Sequence, residues 1–181
     1  MANTYQIDAA HSSVQFSVRH LMVSNVRGSF SGVSGTVIYD PAAPGETTID
    51  ATIDLNTVNT NDEKRDGHLK SPDFFDVAKY PVMSFKSKHV ATHPSGDHHV
   101  TGDLTLHGVT KEITLVVEEV SNEAKDPWGN TKLGASVKGK IKRSDFGLTW
   151  NAPVETGGVL VGDDVKIEFD LQFLKAQAAT A

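Results

Sequence analysis

Arg65 and His68 are the two side chains that the sequence places best for binding a polar or anionic group. They lie in the segment 60–85, TNDEKRDGHLKSPDFFDVAKYPVMSF, where the apolar–polar alternation of the remaining chain stops. If this segment is helical, residues three apart share one face, and a guanidinium and an imidazole would point the same way. Such a pair can donate hydrogen bonds to a phosphate or carbonyl oxygen. The competing interpretation is that Arg65 and Asp66 form ordinary surface ion pairs, which contribute little.

The histidines allow two further kinds of chemistry. A loop with paired histidines beside an aspartate could bind zinc weakly, but a second pair with a known ligand spacing is missing; its residues are His93, Asp97, His98 and His99. Haem ligation is the other alternative, and its candidates are His11, His20, His68 and His107. Histidines near strand ends more commonly make structural hydrogen bonds. The sequence therefore predicts no metal site and no cofactor, and both alternatives stay open to experiment.

Enzyme motifs are absent from the sequence. We find no nucleophile elbow, zinc-protease, phosphate-loop or dinucleotide fingerprint. With no cysteine, disulfides and thiolate catalysis are excluded. The formal net charge of −6 and the lack of a basic cluster argue against nucleic-acid binding. We therefore expect a binding protein and not an enzyme.

The chain reads as one domain over 1–181, with a frayed tail from about 176 to 181. No low-complexity linker divides its 181 residues. The start, MANTYQIDAAHSS, lacks the basic and apolar regions of a signal peptide, and no apolar run reaches the length of a transmembrane helix. These features predict a cytoplasmic location, or a periplasmic one if a leader has been removed.

Alternating apolar and polar residues predict about eight antiparallel strands. Val14, Phe16 and Val18, for example, alternate with polar neighbours. An antiparallel set of this number closes most economically into a barrel, which leaves no exposed edges. One short helix interrupts the strands: Thr60 and Glu63 have capping-box spacing, which predicts a helix over about 61–70. The predicted fold class is all-β, an eight-stranded antiparallel barrel with one short inserted helix.

The inward faces of these strands are predicted to be apolar. An eight-stranded barrel is either just filled by its side chains or holds one ligand, and the alternation alone favours the filled core. The candidate lining residues are Val14, Phe16, Val18, Phe74, Phe75, Met83, Phe85, Leu104, Leu106, Leu115, Phe146, Trp150, Ile167 and Phe169.

Four stretches resemble the YceI-like family of lipocalin-like, polyisoprenoid-binding barrels. They are residues 11–30, 64–85, 101–115 and 142–150, and the longest reads KRDGHLKSPDFFDVAKYPVMSF. The matches span nearly the whole chain in the family's order. The resemblance implies a lipocalin-like barrel with a long apolar tunnel that holds an isoprenoid or other long-chain lipid, and it reverses the preference for a filled core. A homodimer is plausible by the same resemblance.

The resemblance also gives the polar candidates a role at the tunnel mouth. A polyprenyl phosphate or a quinone-type ring needs hydrogen-bond donors there. The candidate head-group residues are Arg19, His20, Arg65, His68, Lys111 and Arg143. The expected function is to carry or sequester such a lipid. A haem- or metal-binding protein of the same fold and a lipid-metabolising enzyme remain the alternatives.

Overall fold

Strands make up most of the computed structural model, which describes residues 1–178. Their bounds are β1 Asn3–Ile7, β2 Ser13–His20, β3 Ser24–Phe30, β4 Val33–Tyr39, β5 Thr48–Asp54, β6 Val58–Asn59, β7 Val82–Thr92, β8 His98–Leu106, β9 Val109–Val120, β10 Ala124–Lys125, β11 Thr131–Lys142 and β12 Val161–Lys175. One α-helix, α1 Glu63–Lys70, lies between β6 and β7 within the described residues. Short 3₁₀ helices occupy Ala9–His11, Pro44–Glu46, Leu55–Thr57 and Arg143–Phe146.

Eight of these strands close into a barrel. The antiparallel order around it is β1, β4, β5, β7, β8, β9, β11 and β12, and β12 pairs back onto β1. The longest ladder joins β11 to β12, from Lys132 opposite Leu174 to Lys142 opposite Asp164. The predicted eight-stranded antiparallel barrel with an inserted helix is confirmed.

The remaining long strands extend one end of the barrel. β12 is long enough to pair with β1 near its end and with β2 further back, where Val14 faces Phe169. β2 continues into β3, and β3 pairs with the short β6. The chain between β6 and β7, residues 60–81, is called the cap segment here. Its side chains Leu69, Phe75 and Val77 pack against the hydrophobic core, so the cap segment covers the extended end.

Helix α1 begins two residues later than the sequence suggested. Asp62 is the N-cap, and its carboxylate accepts a hydrogen bond from the Arg65 backbone N–H at 3.0 Å. Asn61 lies outside the helix with φ of 61°. The predicted capping box therefore does not form, because Thr60 uses its hydroxyl to donate to Asp66 Oδ1 at 2.6 Å. The helix ends at Lys70, as the proline at 72 predicts.

The opposite end of the barrel is closed by Tyr5, Leu133 and Phe173. Tyr5 is 1% exposed, and its hydroxyl donates to Glu123 Oε1 at 2.5 Å. Burial, with help from this carboxylate, raises the pKa of Tyr5 to about 12. Ala176 then donates its N–H to Thr4 O at 2.8 Å, and residues 179–181 of the predicted tail lie outside the described part of the chain. Within 1–178, α1 is too short and too polar to cross a bilayer.

Candidate functional site

An apolar cavity of about 190 Å³ lies inside the extended end of the barrel, beneath the cap segment; we call it the upper cavity. Strands β2, β3 and β12 form one wall, and β7, β8, β11, the cap segment and the loop after β11 supply the rest of the lining. Its lining residues are almost all hydrophobic: Val14, Gln15, Phe16, Val18, His20, Val26, Phe30, Arg65, Leu69, Phe74, Phe75, Met83, Leu106, Ile141, Arg143, Leu148, Trp150, Leu160, Val161, Val165, Ile167 and Phe169.

Phe16 shapes this wall through a close approach to a glycine. It lies opposite Gly28 in the β2–β3 pairing, and a Cβ on Gly28 would overlap the Phe16 ring. The ring also packs on Phe30, with centroids 5.5 Å apart. Phe30 in turn meets Phe75 of the cap segment edge-on at 5.9 Å. A chain of aromatic contacts thus joins the strand wall to the cap.

Most of the apolar residues singled out from the sequence lie on the wall of this cavity. They are Val14, Phe16, Val18, Phe74, Phe75, Met83, Leu106, Trp150, Ile167 and Phe169. Phe85, Leu104, Leu115 and Phe146 do not lie on it, although all four are buried in the hydrophobic core. For these four residues, the sequence pattern indicated burial correctly but not position, because alternation defines only which face points inward.

The structure adds wall residues that the sequence reasoning missed. Leu160 and Val161 follow an irregular stretch without alternation, so no sequence pattern distinguished them. Leu69 lies four residues after Arg65 on α1, and that helical spacing could have identified it. The remaining missed apolar residues are Val26, Phe30, Ile141, Leu148 and Val165.

Arg65 contributes to the wall, but its guanidinium is held by Thr60 of the cap segment. Nε donates to Thr60 Oγ1 at 2.8 Å, and Nη2 donates to Thr60 O at 2.7 Å. Asp62 lies 4.0 Å from Nη1. These contacts fix the side chain where the cap segment leaves β6.

His68 lies near the cavity but is absent from its wall. Its Nε2 is 2.8 Å from Asp73 Oδ2. Its ring meets Phe74 and Trp150 edge-on, with centroids 5.0 and 4.7 Å apart. Because Phe74 belongs to the cap segment and Trp150 to the loop after β11, His68 joins two separate parts of the enclosure.

Arg143 is a buried cation that ties a loop to the barrel. It is 7% exposed, and its guanidinium donates to four backbone carbonyl oxygens. Those oxygens belong to Leu148, Trp150, Val161 and Gly162, at 2.7, 2.9, 3.1 and 2.7 Å. Burial lowers the pKa of Arg143, and the nearby Asp163 carboxylate partly opposes that effect. An arginine remains charged in this setting, so Arg143 supplies both a fold contact and positive charge at the wall.

The other head-group candidates are divided between the wall and the outer surface. His20 lies on the cavity wall. Arg19 is exposed and donates to Met22 O at 3.2 Å. Lys111 is also exposed, near the start of β9. The structure thus brings together His20, Arg65 and Arg143 and leaves Arg19 and Lys111 outside.

His93 of the β7–β8 loop and His99 of β8 belong to a small polar network. His93 stacks on His99, with centroids 5.1 Å apart, and its Nδ1 lies 2.9 Å from Ser95 Oγ. Across residues 1–178, no three histidine or acidic side chains converge in a way that could hold a metal ion. Of the four histidines considered as haem ligands, only His20 lies on the cavity wall. His11 and His68 are hydrogen-bonded to Asp8 and Asp73, and His107 is hydrogen-bonded to the Phe146 carbonyl oxygen.

A second apolar cavity of about 100 Å³ lies at the closed end; we call it the lower cavity. Tyr5, Val90, Val100, Val137 and Phe173 are among its lining residues, and it shares none with the upper cavity. The interior is therefore divided into two spaces, where the family resemblance implied one long tunnel.

Comparisons with known proteins agree with this architecture. Residues 5–173 match the family model described as a YceI-like domain. A UPF0312 protein of Staphylococcus aureus strain N315 is 39% identical over 170 residues, covering 93% of this chain and 96% of that protein. The crystal structure of BcnA from Burkholderia cenocepacia superposes with a TM-score of 0.80 at 26% identity, covering 92% of this chain and 98% of that one. A polyisoprenoid binding domain from Saccharophagus degradans shares the fold, with a TM-score of 0.67 at 21% identity over 95% of this chain and 98% of that domain.

Proposed function

The chain belongs to the family of YceI-like domains, and we propose that it binds the tail of an isoprenoid lipid in the upper cavity. The observation that carries this proposal is the apolar cavity itself, formed jointly by strands, cap segment and loop. The ligand class is the one for which the Saccharophagus degradans domain is named.

An isoprenoid tail has no hydrogen-bonding groups, so its site must exclude water and match its shape. Branched and aromatic side chains such as Phe16, Phe75 and Ile167 provide such a surface. Each buried CH₂ contributes about 0.8 kcal/mol. Ordering of the chain and loss of free motion offset part of this gain. Binding can still be tight without a polar contact to the tail.

For the polar end of the lipid, we propose a position beside His20 and Arg65. Both lie on the wall of the upper cavity. His20 is the last residue of β2. The Nη1 atom of Arg65 is 4.0 Å from its nearest carboxylate, that of Asp62, which is too far for a hydrogen bond. Arg143 adds positive charge from within the wall. This arrangement supports binding of a lipid that carries a hydroxyl, carbonyl or phosphate group, which the protein would carry or sequester.

Tryptophan fluorescence tests the proposal directly, because the chain has two tryptophans in different settings. Trp150 lies on the cavity wall, whereas Trp128 is 83% exposed. In a Trp128→Phe variant, adding geraniol should shift the emission to shorter wavelength in a saturable manner as the alcohol displaces water near Trp150. The matched Trp150→Phe variant keeps only Trp128 and should show no shift. Equal responses in the two variants, or no response in either, would contradict binding in the upper cavity.

A further inference from the structure

Three buried core residues on neighbouring strands line neither cavity: Phe85, Leu104 and Leu115. Along β7, Met83 lines the upper cavity and Val90 the lower, and Phe85 lies between them on neither wall. Along β8, Leu106 lines the upper cavity and Val100 the lower, with Leu104 between. Phe85 and Leu104 are directly paired across these strands, and each is less than 10% exposed.

Leu115 extends this set of core residues onto β9, the strand next to β8. Along β11, Ile141 lines the upper cavity and Val137 the lower, and the inward position between them is Gly139. A Cβ on Gly139 would lie 2.6 Å from Leu115 Cδ2, so the leucine side chain occupies the space that this glycine leaves. We call Phe85, Leu104 and Leu115 the dividing layer.

A second glycine holds Phe85 in the same way. Gly102 is the inward position of β8 next to Leu104, and a Cβ there would lie 2.6 Å from Phe85 Cζ. The phenyl ring therefore lies across β8 and into the barrel interior. Two inward glycines, Gly102 on β8 and Gly139 on β11, thus each leave space that a large side chain of the layer occupies.

The volume of the upper cavity limits the number of ligand carbon atoms that it can hold. An apolar cavity of about 150 Å³ accommodates benzene, a six-carbon ring. By that measure the upper cavity, at about 190 Å³, has room for roughly eight carbon atoms, between one and two isoprene units. It is also smaller than the roughly 300 Å³ at which pockets for drug-sized ligands begin.

We infer that the dividing layer, with Phe85 as its largest member, limits the length of lipid tail that the upper cavity accepts. This inference rests on the proposed function and extends it to a ligand class: lipids of which at most about two isoprene units enter the upper cavity, while any further units stay outside it. Carbons that stay in water add little affinity. Removing the phenyl ring joins the two cavities and lets a longer tail descend toward Val90 and Val100.

The test compares geraniol, which has two isoprene units, with farnesol, which has three, by Trp150 fluorescence in the full-length Trp128→Phe chain. In this Trp128→Phe parent chain, the two alcohols should bind with affinities within a few-fold of each other. With Phe85→Ala added, farnesol should bind at least about tenfold more tightly than geraniol, since each newly buried CH₂ is worth about fourfold. Leu115→Ala should shift the preference in the same direction and serves as a second variant if Phe85→Ala folds poorly.

Phe173→Ala is the matched control, because it removes the same ring from the far end of the lower cavity and leaves the dividing layer intact. It should keep the length preference of the parent chain. The inference is overturned if the parent already prefers farnesol tenfold, or if the folded layer variants keep the parent's preference. Failure of every variant and the parent to bind either alcohol would instead overturn the proposed function, and the inference with it.

Discussion

Replacing Arg143 with methionine is expected to lower the free energy of unfolding by about 3 to 5 kcal/mol, because four backbone carbonyls lose a charged donor. Two of these carbonyls belong to the loop after β11 and two to the start of β12. Methionine fills a similar volume but donates no hydrogen bond. Urea denaturation followed by circular dichroism measures the change through the transition midpoint.

The control for this substitution is Arg19→Met. Arg19 is exposed and donates to a single carbonyl, that of Met22. A surface change of this kind usually alters stability by no more than about 0.5 kcal/mol. If Arg143→Met proves as mild as Arg19→Met, the four hydrogen bonds do not hold the loop as described.

Arg143→Met should also weaken lipid binding, beyond its effect on the free energy of unfolding. Trp150 and Val161 supply two of the carbonyls that Arg143 holds, and both side chains line the upper cavity. Loss of the guanidinium frees these wall residues to move. Geraniol titration at a temperature where the variant is folded separates this effect from unfolding.

Phe75→Asp is expected to reduce the affinity for geraniol by about a hundredfold or more at neutral pH, since a carboxylate would lose hydration in an apolar cavity. Phe75 lines the upper cavity and packs edge-on against Phe30. Protonation of the new aspartate removes its charge. Binding should therefore recover in part as the pH falls below about 5 and approaches the ordinary pKa of aspartic acid. Isothermal titration calorimetry across this pH range measures both effects.

Phe75→Leu is the matched control for size and polarity. Leucine keeps an apolar surface at the same position, so its affinity should stay within about tenfold of the parent. Unchanged binding in a folded Phe75→Asp variant would show that the tail does not contact the cap segment.

The barrel could be predicted from the sequence because its signal repeats along the chain. Inward residues such as Val14 and Phe16 alternate with polar neighbours, and this periodicity recurs along the chain, although register shifts interrupt the β7–β8, β9–β11 and β2–β12 pairings. The start of α1 was wrong by two residues, because Thr60 bonds to Asp66 and Asp62 caps the helix instead. Local spacing alone does not decide between two capping residues that are two positions apart.

The position of the void could not be predicted in the same way. Alternation reports that Phe85 and Leu115 point inward, but the height at which the barrel is filled depends on Gly102 and Gly139 on neighbouring strands. These are contacts between residues far apart in sequence. Arg143 is a similar case: its charge suggested a place at the mouth, whereas its burial arises from carbonyls that only the folded loop brings together.

The most direct test of lipid binding in the upper cavity is a crystal structure of the protein with geraniol. Continuous density for the ten-carbon chain is expected among Phe16, Phe75 and Ile167, with the hydroxyl directed toward His20 and Arg65. Density only on the outer surface, or only beside Tyr5 and Phe173 in the lower cavity, would contradict the proposed site.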